Sequence, residues 1–402
     1  MKKENNVWKI IVTIVITAFV TFIITAVSVF RLVNIRENYH IKNSKTPTTS
    51  LEVTLTNFRR ILEQKYIGEM DENKMIDSAI KGYISGLGDP YTEYFTKEEM
   101  QEFNEDTQGE YVGVGIYTTN DTEKNAIVVL RTIGNSPANK AGLLTGDIIT
   151  KVDDVSYTGE QLSEAVKQMK GIAGTNVKIT ILRNDQEMEF NITRENIKIE
   201  HVSSNVLENN IGYIKISSFE GGCANEFETH YKELEKKNIS SLIIDLRYNG
   251  GGIVTEALQI ADLMVPKNET LLITRDKNEQ EEVTKSTKDK TINIPIVVLV
   301  NEYSASASEI LAGILKEDIN AKLIGVKTYG KGVIQTVYPL ADGSGLKITT
   351  NEYYTPNRNK INKIGIEPTI EIKLPKEWQN MANVPTEEDT QLKKAIEELK
   401  NN

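Results

Sequence analysis

The spacing of apolar residues divides the chain into an uncharged stretch, a helical region and two mixed regions. Residues 10–30 contain no charged side chain, and these 21 positions match the length that a helix needs to cross a bilayer core. Apolar residues then recur at helical spacing from Leu51, and a second helix is predicted over residues 73–84. Thr96 and Glu99 have the spacing of a capping box, which predicts the start of a third helix. The pattern therefore predicts a transmembrane anchor followed by a short helical region.

A period of two residues, typical of strands, replaces the helical period between about residues 109 and 194. Five strands are predicted, at residues 111–117, 126–132, 147–152, 176–182 and 187–192. One helix, at residues 159–170, interrupts them and carries an apolar stripe on one face. This region is therefore expected to form a β-rich domain.

Strands and helices alternate beyond residue 210, which indicates an α/β layer around a central sheet. The predicted strands are 211–216, 241–246, 294–300, 323–326 and 333–337, and the predicted helices are 223–237, 255–264 and 308–315. The strands at 241–246 and 296–300 are nearly continuous apolar runs, as expected where both faces are covered. The charged segment 276–290 is expected to be a surface excursion. The tail at 386–400 has an apolar stripe that fits either a second subunit or the chain's own core.

The composition is that of a globular protein too long for one compact core. Its 402 residues are 39% hydrophobic and 26% charged, so we expect two or three domains. Asp and Glu outnumber Lys and Arg by 57 to 47, and the net charge of -10 leaves no broad basic surface for nucleic acid. The single cysteine, Cys223, cannot form an intramolecular disulfide and lacks metal-ligand spacing. We therefore expect no metal, no other cofactor and no nucleic-acid partner.

Ser306 is the candidate nucleophile because it falls where a buried strand ends and a helix begins. The free amides of that first helical turn, where Ala307 also lies, can stabilise the oxygen anion that forms when a hydroxyl attacks a carbonyl. The same residues also permit a structural interpretation. Ser306 and Glu309 have the spacing of a capping box, in which the serine only satisfies an orphan amide.

Lys331 is the candidate base, and its presence favours a catalytic role for Ser306 over the capping role. It lies between two glycines, which leave the backbone uncrowded and let the amine approach another loop. Burial must lower its pKa from the ordinary value of about 10.4 before the amine can accept a proton at neutral pH. Gln335 projects to the same side of a predicted strand and can orient the amine. The histidines, His40, His201 and His230, lie outside these motifs, which disfavours a histidine relay.

A phosphate-binding loop is the alternative interpretation of the lysine segment. Residues 325–331 follow a predicted strand and match the first seven positions of the nucleotide-binding pattern. The eighth position should be Ser or Thr to hold magnesium, but it is Gly332, and β-type residues follow instead of a helix. The pattern therefore disfavours a nucleotide site.

The β-rich region resembles a PDZ domain. The resemblance rests on Gly113-Val114-Gly115-Ile116 as a carboxylate-binding loop, and on the segments at residues 136–143 and 146–149. Such a domain binds an extended peptide as an added strand, while amides of the loop take its terminal carboxylate. Glycine fits this loop because a side chain there would block the carboxylate. The alternative for Gly113 and Gly115 is a β-bulge in an edge strand.

Beyond the apolar stretch, the chain resembles the carboxy-terminal processing proteases, also called tail-specific proteases. The order of helical region, PDZ domain and serine-lysine core carries the resemblance, together with the Ser-Ala-Ser-Ala-Ser-Glu run at 304–309 and the Gly-Lys-Gly segment at 330–332. The resemblance implies that Ser306 is the nucleophile, that Lys331 is the base, and that Gln335 completes the triad.

The same resemblance implies an oxyanion hole and a division of the chain. An amide of the glycine loop at 245–252, belonging to Gly251 or Gly252, joins that of Ala307 in the oxyanion hole. The expected fold is an α/β catalytic core of ClpP/crotonase-like type with an inserted PDZ domain, a helical N-terminal region and one N-terminal transmembrane helix. The expected segments are a cytoplasmic N-terminus at 1–9, an anchor at 10–30, a linker at 31–50, the helical region at 51–108, the PDZ domain at 109–194, the protease core at 195–375 and a helical tail at 376–402.

These features predict a membrane-anchored serine endopeptidase that recognises the C-terminal tails of protein substrates through its PDZ domain. The expected location is the cell membrane, crossed once, with the catalytic domain outside the cytoplasm. A cleavable signal ending near Ala26-Val27-Ser28 is the alternative to the anchor. The expected partners are protein or peptide substrates, the membrane and, if the tail helix dimerises, a second copy of the chain. The rival functions are a tethered PDZ adaptor with an inert core and a nucleotide hydrolase.

Overall fold

The computed structural model describes residues 50–379 and 384–400. They belong to two compact units, one ending at residue 75 and the other beginning at residue 76. No helix within the described ranges is long and apolar enough to cross a membrane. The predicted anchor at residues 10–30 lies outside those ranges, and so does most of the predicted linker.

The helices predicted before residue 109 are present. They are α1 (Leu51–Lys65), α2 (Glu72–Ser85) and α3 (Lys97–Gln108), and a short strand that was not predicted, β1 (Glu93–Phe95), precedes α3. The capping box is confirmed, because the Glu99 amide donates to the Thr96 hydroxyl at 3.2 Å and the Thr96 amide donates to the Glu99 carboxylate at 2.9 Å.

The next region folds as a β-rich domain around its own apolar core. Its elements are β2 (Glu110–Gly113), β3 (Ile116–Asp121), β4 (Ala126–Thr132), α4 (Pro137–Ala141), β5 (Ile148–Val152), β6 (Val155–Ser156), α5 (Leu162–Met169), β7 (Asn176–Arg183), β8 (Gln186–Thr193) and β9 (Glu195–Lys198). The main sheet has the order β3-β4-β5-β7-β8, with β6 beside β5, while β2 pairs with β9. Four of the five predicted strands are confirmed, while the strand predicted at 111–117 is divided into β2 and β3, which belong to different sheets. Strand β3 is an edge strand of the main sheet.

Beyond residue 200 the chain forms the predicted α/β layer. Its elements are β10 (Val202–Leu207), β11 (Ile211–Ile216), α6 (Cys223–Lys236), β12 (Ser241–Asp245), α7 (Val254–Asp262), β13 (Thr270–Asp276), β14 (Glu281–Lys285), β15 (Ile296–Val300), α8 (Ala307–Asp318), β16 (Lys322–Gly325), β17 (Val333–Pro339), β18 (Gly345–Tyr354), β19 (Ile370–Glu371) and α9 (Thr390–Lys400). The central sheet has the order β10-β11-β12-β15-β16-β19, and the strands from β11 onward are parallel.

Helices cover both faces of this central sheet. Every residue of β12 and β15 is buried, as their continuous apolar runs predict. Helices α6, α7 and α8 pack on one face, against residues such as Ile244 and Val298. Helix α9 packs on the other face, where its residues Leu392 and Ile396 meet Ile243. The apolar stripe of the tail is therefore covered by the chain's own core, so it gives no reason to assign that stripe to a second subunit.

A second sheet contains β1, β18, β13 and β14 in that order, with β17 also paired to β18. The expectation that residues 276–290 form an excursion is wrong in part, because β14 pairs antiparallel with β13. The sequence did not predict this strand because its charged residues resemble a loop. They are exposed at the edge of the sheet, where charge prevents unwanted strand pairing.

Candidate active site

Ser306 lies between the buried strand β15 and the helix α8, as predicted. Its backbone has φ 55° and ψ -118°, a conformation that non-glycine residues adopt only under strain, and its exposure is 8%. Ala307 is the first residue of α8, so its N–H has no acceptor within the helix. A strained serine followed by a free amide is the arrangement that a nucleophile with an adjacent oxyanion donor requires.

Glu309 connects the serine loop to the lysine loop. This carboxylate is fully buried, and its Oε2 accepts hydrogen bonds from the amides of Ser306 at 3.0 Å and Lys331 at 2.9 Å. Its Oε1 accepts from the Thr328 hydroxyl at 2.6 Å and the Gly330 amide at 2.8 Å. Burial raises the pKa of Glu309, while these hydrogen bonds oppose that rise. The bond to Ser306 belongs to the predicted capping box, but sequence reasoning missed the other three, which join segments about 20 residues apart.

Replacing Glu309 with glutamine is expected to lower both stability and activity. An amide keeps only one acceptor oxygen, so its NH2 group would face either the Ser306 and Lys331 amides or the Thr328 and Gly330 donors. Losing two charge-assisted hydrogen bonds costs about 3 kcal/mol in the free energy of unfolding. Urea unfolding and kcat on a short peptide measure the two effects, and the exposed neighbour variant Glu302→Gln is the matched control. Equal behaviour of the two variants would contradict this role of Glu309.

Lys331 is half-buried, and the glycines on either side of it lie against the backbone of residues 362–365. A Cβ on Gly332 would overlap the backbone of Asn362, and Gly330 has φ 92°, so both glycines are required by local crowding and conformation. The ammonium nitrogen lies 4.6 Å from the centroid of the Tyr91 ring. Burial lowers the pKa of Lys331, and the positive charge of Lys347 lowers it further, while nearby carboxylates act in the opposite direction. The amine thus has the environment that a neutral lysine base needs.

Gln335 is held by the neighbouring strand. Its side-chain amide nitrogen donates to the Thr349 hydroxyl at 3.2 Å, across the pair formed by β17 and β18. Lys331, Val333 and Gln335, which the two-residue alternation predicts on one side, all line the same cavity. Ile334 lines it as well, because the strand register shifts between Ile334 and Gln335. This fixed amide leaves the side-chain carbonyl as the group that can orient the amine.

The glycine loop passes directly beside Ser306. Gly251 has φ 107°, and a Cβ there would lie 2.8 Å from the Ser306 Cβ, so only glycine fits. The Gly251 amide donates to the Asn249 side-chain oxygen at 2.8 Å, while the Asn249 side-chain nitrogen donates to the Ile216 carbonyl at 3.0 Å. Gly251 and Gly252 are the two candidate donors for the oxyanion hole. The Gly251 N–H is already bound to Asn249, whereas Gly252 lines the cavity.

A buried polar network fixes the start of the glycine loop. The Arg247 guanidinium contacts the carboxylate of Asp245 at 2.6 Å and that of Asp389 at 2.8 Å. It also donates to the Gln391 side-chain oxygen at 3.0 Å, and the Tyr213 hydroxyl donates to Asp245 at 2.6 Å. Although burial alone would raise the pKa of Asp245, Arg247 holds it below its usual range. The segment preceding α9 is thereby bound to the strand that carries the loop.

The candidate catalytic side chains line one cavity of about 590 Å³. The structure brings Ser306, Lys331, Gln335 and Gly252 together at its wall. Its apolar lining residues are Phe103, Ile253, Val254, Val333, Ile334 and Val337. A hydroxyl, an amine and a side-chain amide thus line a largely apolar cleft, which suits nucleophilic attack on a bound peptide.

Comparison with known proteins identifies the family. Residues 14–99 match the activating protease CtpB N-terminal domain, residues 111–193 match the PDZ domain, and residues 210–372 match peptidase family S41. A CtpA-like serine protease of Staphylococcus epidermidis is 33% identical over 382 residues, which are 94% of this chain and 76% of that protein. The chain belongs to the carboxy-terminal processing serine proteases of family S41. A CtpA-like serine protease of Staphylococcus haemolyticus is 35% identical over 331 residues, which are 82% of this chain and 66% of that protein.

One solved structure shares the S41 peptidase fold. A structure described as an S41 protease from Bacteroides fragilis aligns over 89% of this chain and 99% of its own, with a TM-score of 0.54. At 15% identity, this likeness shows the fold alone. The photosystem II D1 C-terminal processing protease is 28% identical and aligns over 80% of this chain and 88% of its own, with a TM-score of 0.48.

In the PDZ domain of this S41 protease, the segment for which carboxylate binding is predicted, residues 113–116, connects β2 to β3. Val114 is buried, and Gly113 and Ile116 lie at the adjoining strand ends. Gly115 has φ 79°, its carbonyl accepts from the Ser136 hydroxyl at 3.0 Å, and a Cβ there would overlap the Ser136 side chain. The glycines thus connect two strands instead of forming a bulge within one, and they lead into the edge strand β3.

Proposed function

We propose that this serine protease is an endopeptidase that cleaves by acylation of Ser306 with Lys331 as the base. The neutral amine takes the hydroxyl proton as Ser306 Oγ attacks the scissile carbonyl carbon. The oxyanion accepts hydrogen bonds from the Ala307 amide and from the glycine loop, through Gly252 or through Gly251 once Asn249 releases it. The ammonium then protonates the leaving amine, and a water molecule deprotonated by Lys331 hydrolyses the acyl-enzyme.

The observation that carries this proposal is the shared cavity of Ser306 and Lys331, whose loops are joined through Glu309. A serine-directed phosphonate reagent tests it, because only an activated hydroxyl reacts quickly. Peptide mass spectrometry is expected to find the adduct on Ser306, with labelling slowed strongly in Lys331→Met. An adduct on another serine, or equal labelling of the two proteins, would reject the assignment.

The proposed substrates are unstructured C-terminal tails bound by the PDZ domain. The loop at residues 113–116 is proposed to take the terminal carboxylate, while the tail adds as a strand beside β3. Amidating the C-terminus of a tailed substrate is expected to lower kcat/KM about tenfold, since it removes a charge-assisted hydrogen-bond acceptor. Short peptides too small to reach the PDZ domain provide the control. Equal cleavage of the acid and amide forms would contradict carboxylate recognition.

The proposed location is the outer face of a membrane, with residues 10–30 as a single anchor and residues beyond about 45 outside the cytoplasm. The uncharged sequence of that stretch supports an anchor. Fractionation of the full chain tests it, because an anchored protein stays with the membrane in alkaline carbonate, whereas a cleaved one is released.

A further inference from the structure

The segment at residues 89–92, which follows α2, lies against the lysine of the proposed site. The sequence marks this segment only as the end of a helix, through its glycines and proline. In the structure, the face of the Tyr91 ring lies 4.6 Å from the Lys331 amine. An aromatic face at that distance attracts an ammonium ion but has little attraction for a neutral amine.

A chain of hydrogen bonds runs from Asp89 to Gln335. The Asp89 carboxylate accepts from the Tyr91 amide at 3.1 Å and from the Thr92 hydroxyl at 2.6 Å. The Thr92 oxygen in turn accepts from the Thr349 amide at 3.0 Å, and the Thr349 hydroxyl accepts from Gln335 at 3.2 Å. One short segment therefore contacts the proposed base directly and reaches the third member of the proposed triad through β18.

Charged and titratable groups surround the Lys331 amine from several elements. Lys347 of β18 opposes its charge, while Asp89, Glu93 of β1 and Glu309 of α8 favour it. Lys347 is itself paired with Glu93 and lies over the rings of Phe95 and Phe103. The Tyr353 hydroxyl of β18 donates to the carbonyls of Lys331 and Ser306. The side chain of Tyr329 forms a hydrogen bond with that of Tyr91.

We propose that residues 89–92 form a positioning unit, in which Tyr91 and Asp89 stabilise the ammonium that Lys331 becomes during catalysis and Thr92 fixes Gln335 through Thr349. The inference rests on the proposed function of Lys331 as the base. The amine gains its charge only when the Ser306 proton moves to it, so the ring and the carboxylate favour the transition state over the ground state.

Tyr91→Leu and Tyr91→Phe form the matched pair that tests the ring. Leucine removes the aromatic face, and we expect kcat on a short peptide to fall about tenfold with KM changed less than about twofold. Phenylalanine keeps the face, and we expect kcat to stay within about threefold of the unmodified protein. If phenylalanine and leucine lower kcat equally, the ring face has no role.

The pH profile separates this role from a structural one. Tyr91→Leu removes the ring and Asp89→Asn removes the charge, and each makes the Lys331 ammonium less stable. The acid limb of kcat/KM is therefore expected to move to lower pH in both variants. Lys347→Met removes a repelling charge and is expected to move the same limb to higher pH. Lower rates without any movement of the limb in Tyr91→Leu and Asp89→Asn would overturn the inference. If Tyr91→Leu does not fold, the position of the limb in Asp89→Asn decides the question alone.

The proposed function itself fails by a different result. If Lys331→Met keeps the activity and the pH profile of the unmodified protein, Lys331 is not the base, whatever the Tyr91 variants do. If Lys331→Met is inactive but the limb stays fixed in Tyr91→Leu and Asp89→Asn, the base assignment stands and the positioning unit is rejected.

Discussion

Replacing Ser306 with alanine is expected to lower kcat for peptide hydrolysis by about 10⁴-fold or more, because the variant lacks the hydroxyl that is assigned as the nucleophile. Alanine and serine bear the same strain at φ 55°, so the free energy of unfolding should change by less than about 1 kcal/mol. Cleavage of an unfolded protein, followed by mass spectrometry of the fragments, measures the loss. An inert PDZ adaptor would leave that substrate intact before and after the substitution.

Ser304→Ala is the matched control for this experiment. The Ser304 hydroxyl donates to the Leu246 carbonyl at 2.8 Å and accepts from the Asn301 amide at 3.0 Å, so it has a structural partner on each side. Its loss is expected to cost about 1 to 2 kcal/mol of stability while the chemistry survives. Retention of more than about 1% activity in Ser306→Ala would contradict the assignment of the nucleophile.

Replacing Lys331 with methionine is expected to lower kcat by about 10³-fold, which is within the contribution of general base catalysis. Lys331→Arg keeps the positive charge but cannot give up a proton at any accessible pH, so it should be equally inactive. In the unmodified protein the rate should rise with pH as the amine loses its proton, with a midpoint below the ordinary lysine pKa of about 10.4. The pH dependence of kcat/KM measures this midpoint.

An active Lys331→Arg variant would show that the charge, and not proton transfer, is what the site needs. A Lys331→Met variant that keeps the activity and the pH profile of the unmodified protein would likewise exclude the lysine as the base. Circular dichroism of both variants confirms that a lost rate reflects chemistry, since the backbone of this loop is held by Glu309 and not by the lysine side chain.

Local periodicity was enough to predict the strands and helices whose apolar residues face a core. The fully buried strands β12 and β15 stand out because covered strands have no polar face to interrupt the run. Strand β14 was not predicted, because the sequence of an exposed edge strand with charged residues resembles that of a loop. Strand β1 has only three residues, too few for a period to be visible.

The candidate site was predicted where its residue types are unusual, and missed where its contacts are long-range. Ser306 and Lys331 stand in distinctive local patterns, and family resemblance added the glycine loop. Glu309 looked like an ordinary helix cap, because nothing local shows that it also binds the lysine loop. Tyr91 lies 240 positions before Lys331 in the sequence, so only the folded structure brings the two together. The engagement of the Gly251 amide by Asn249 likewise depends on backbone geometry.

The pairing of Arg247 with Asp389 has a consequence for how the enzyme is made. The two residues are 142 positions apart, so a ribosome adding about 5 to 20 residues per second needs roughly 7 to 28 seconds to pass from one to the other. During that interval the guanidinium lacks one of its two carboxylates. We expect the start of the glycine loop in a nascent chain to be less firmly held until Asp389 has been added and can pair with Arg247.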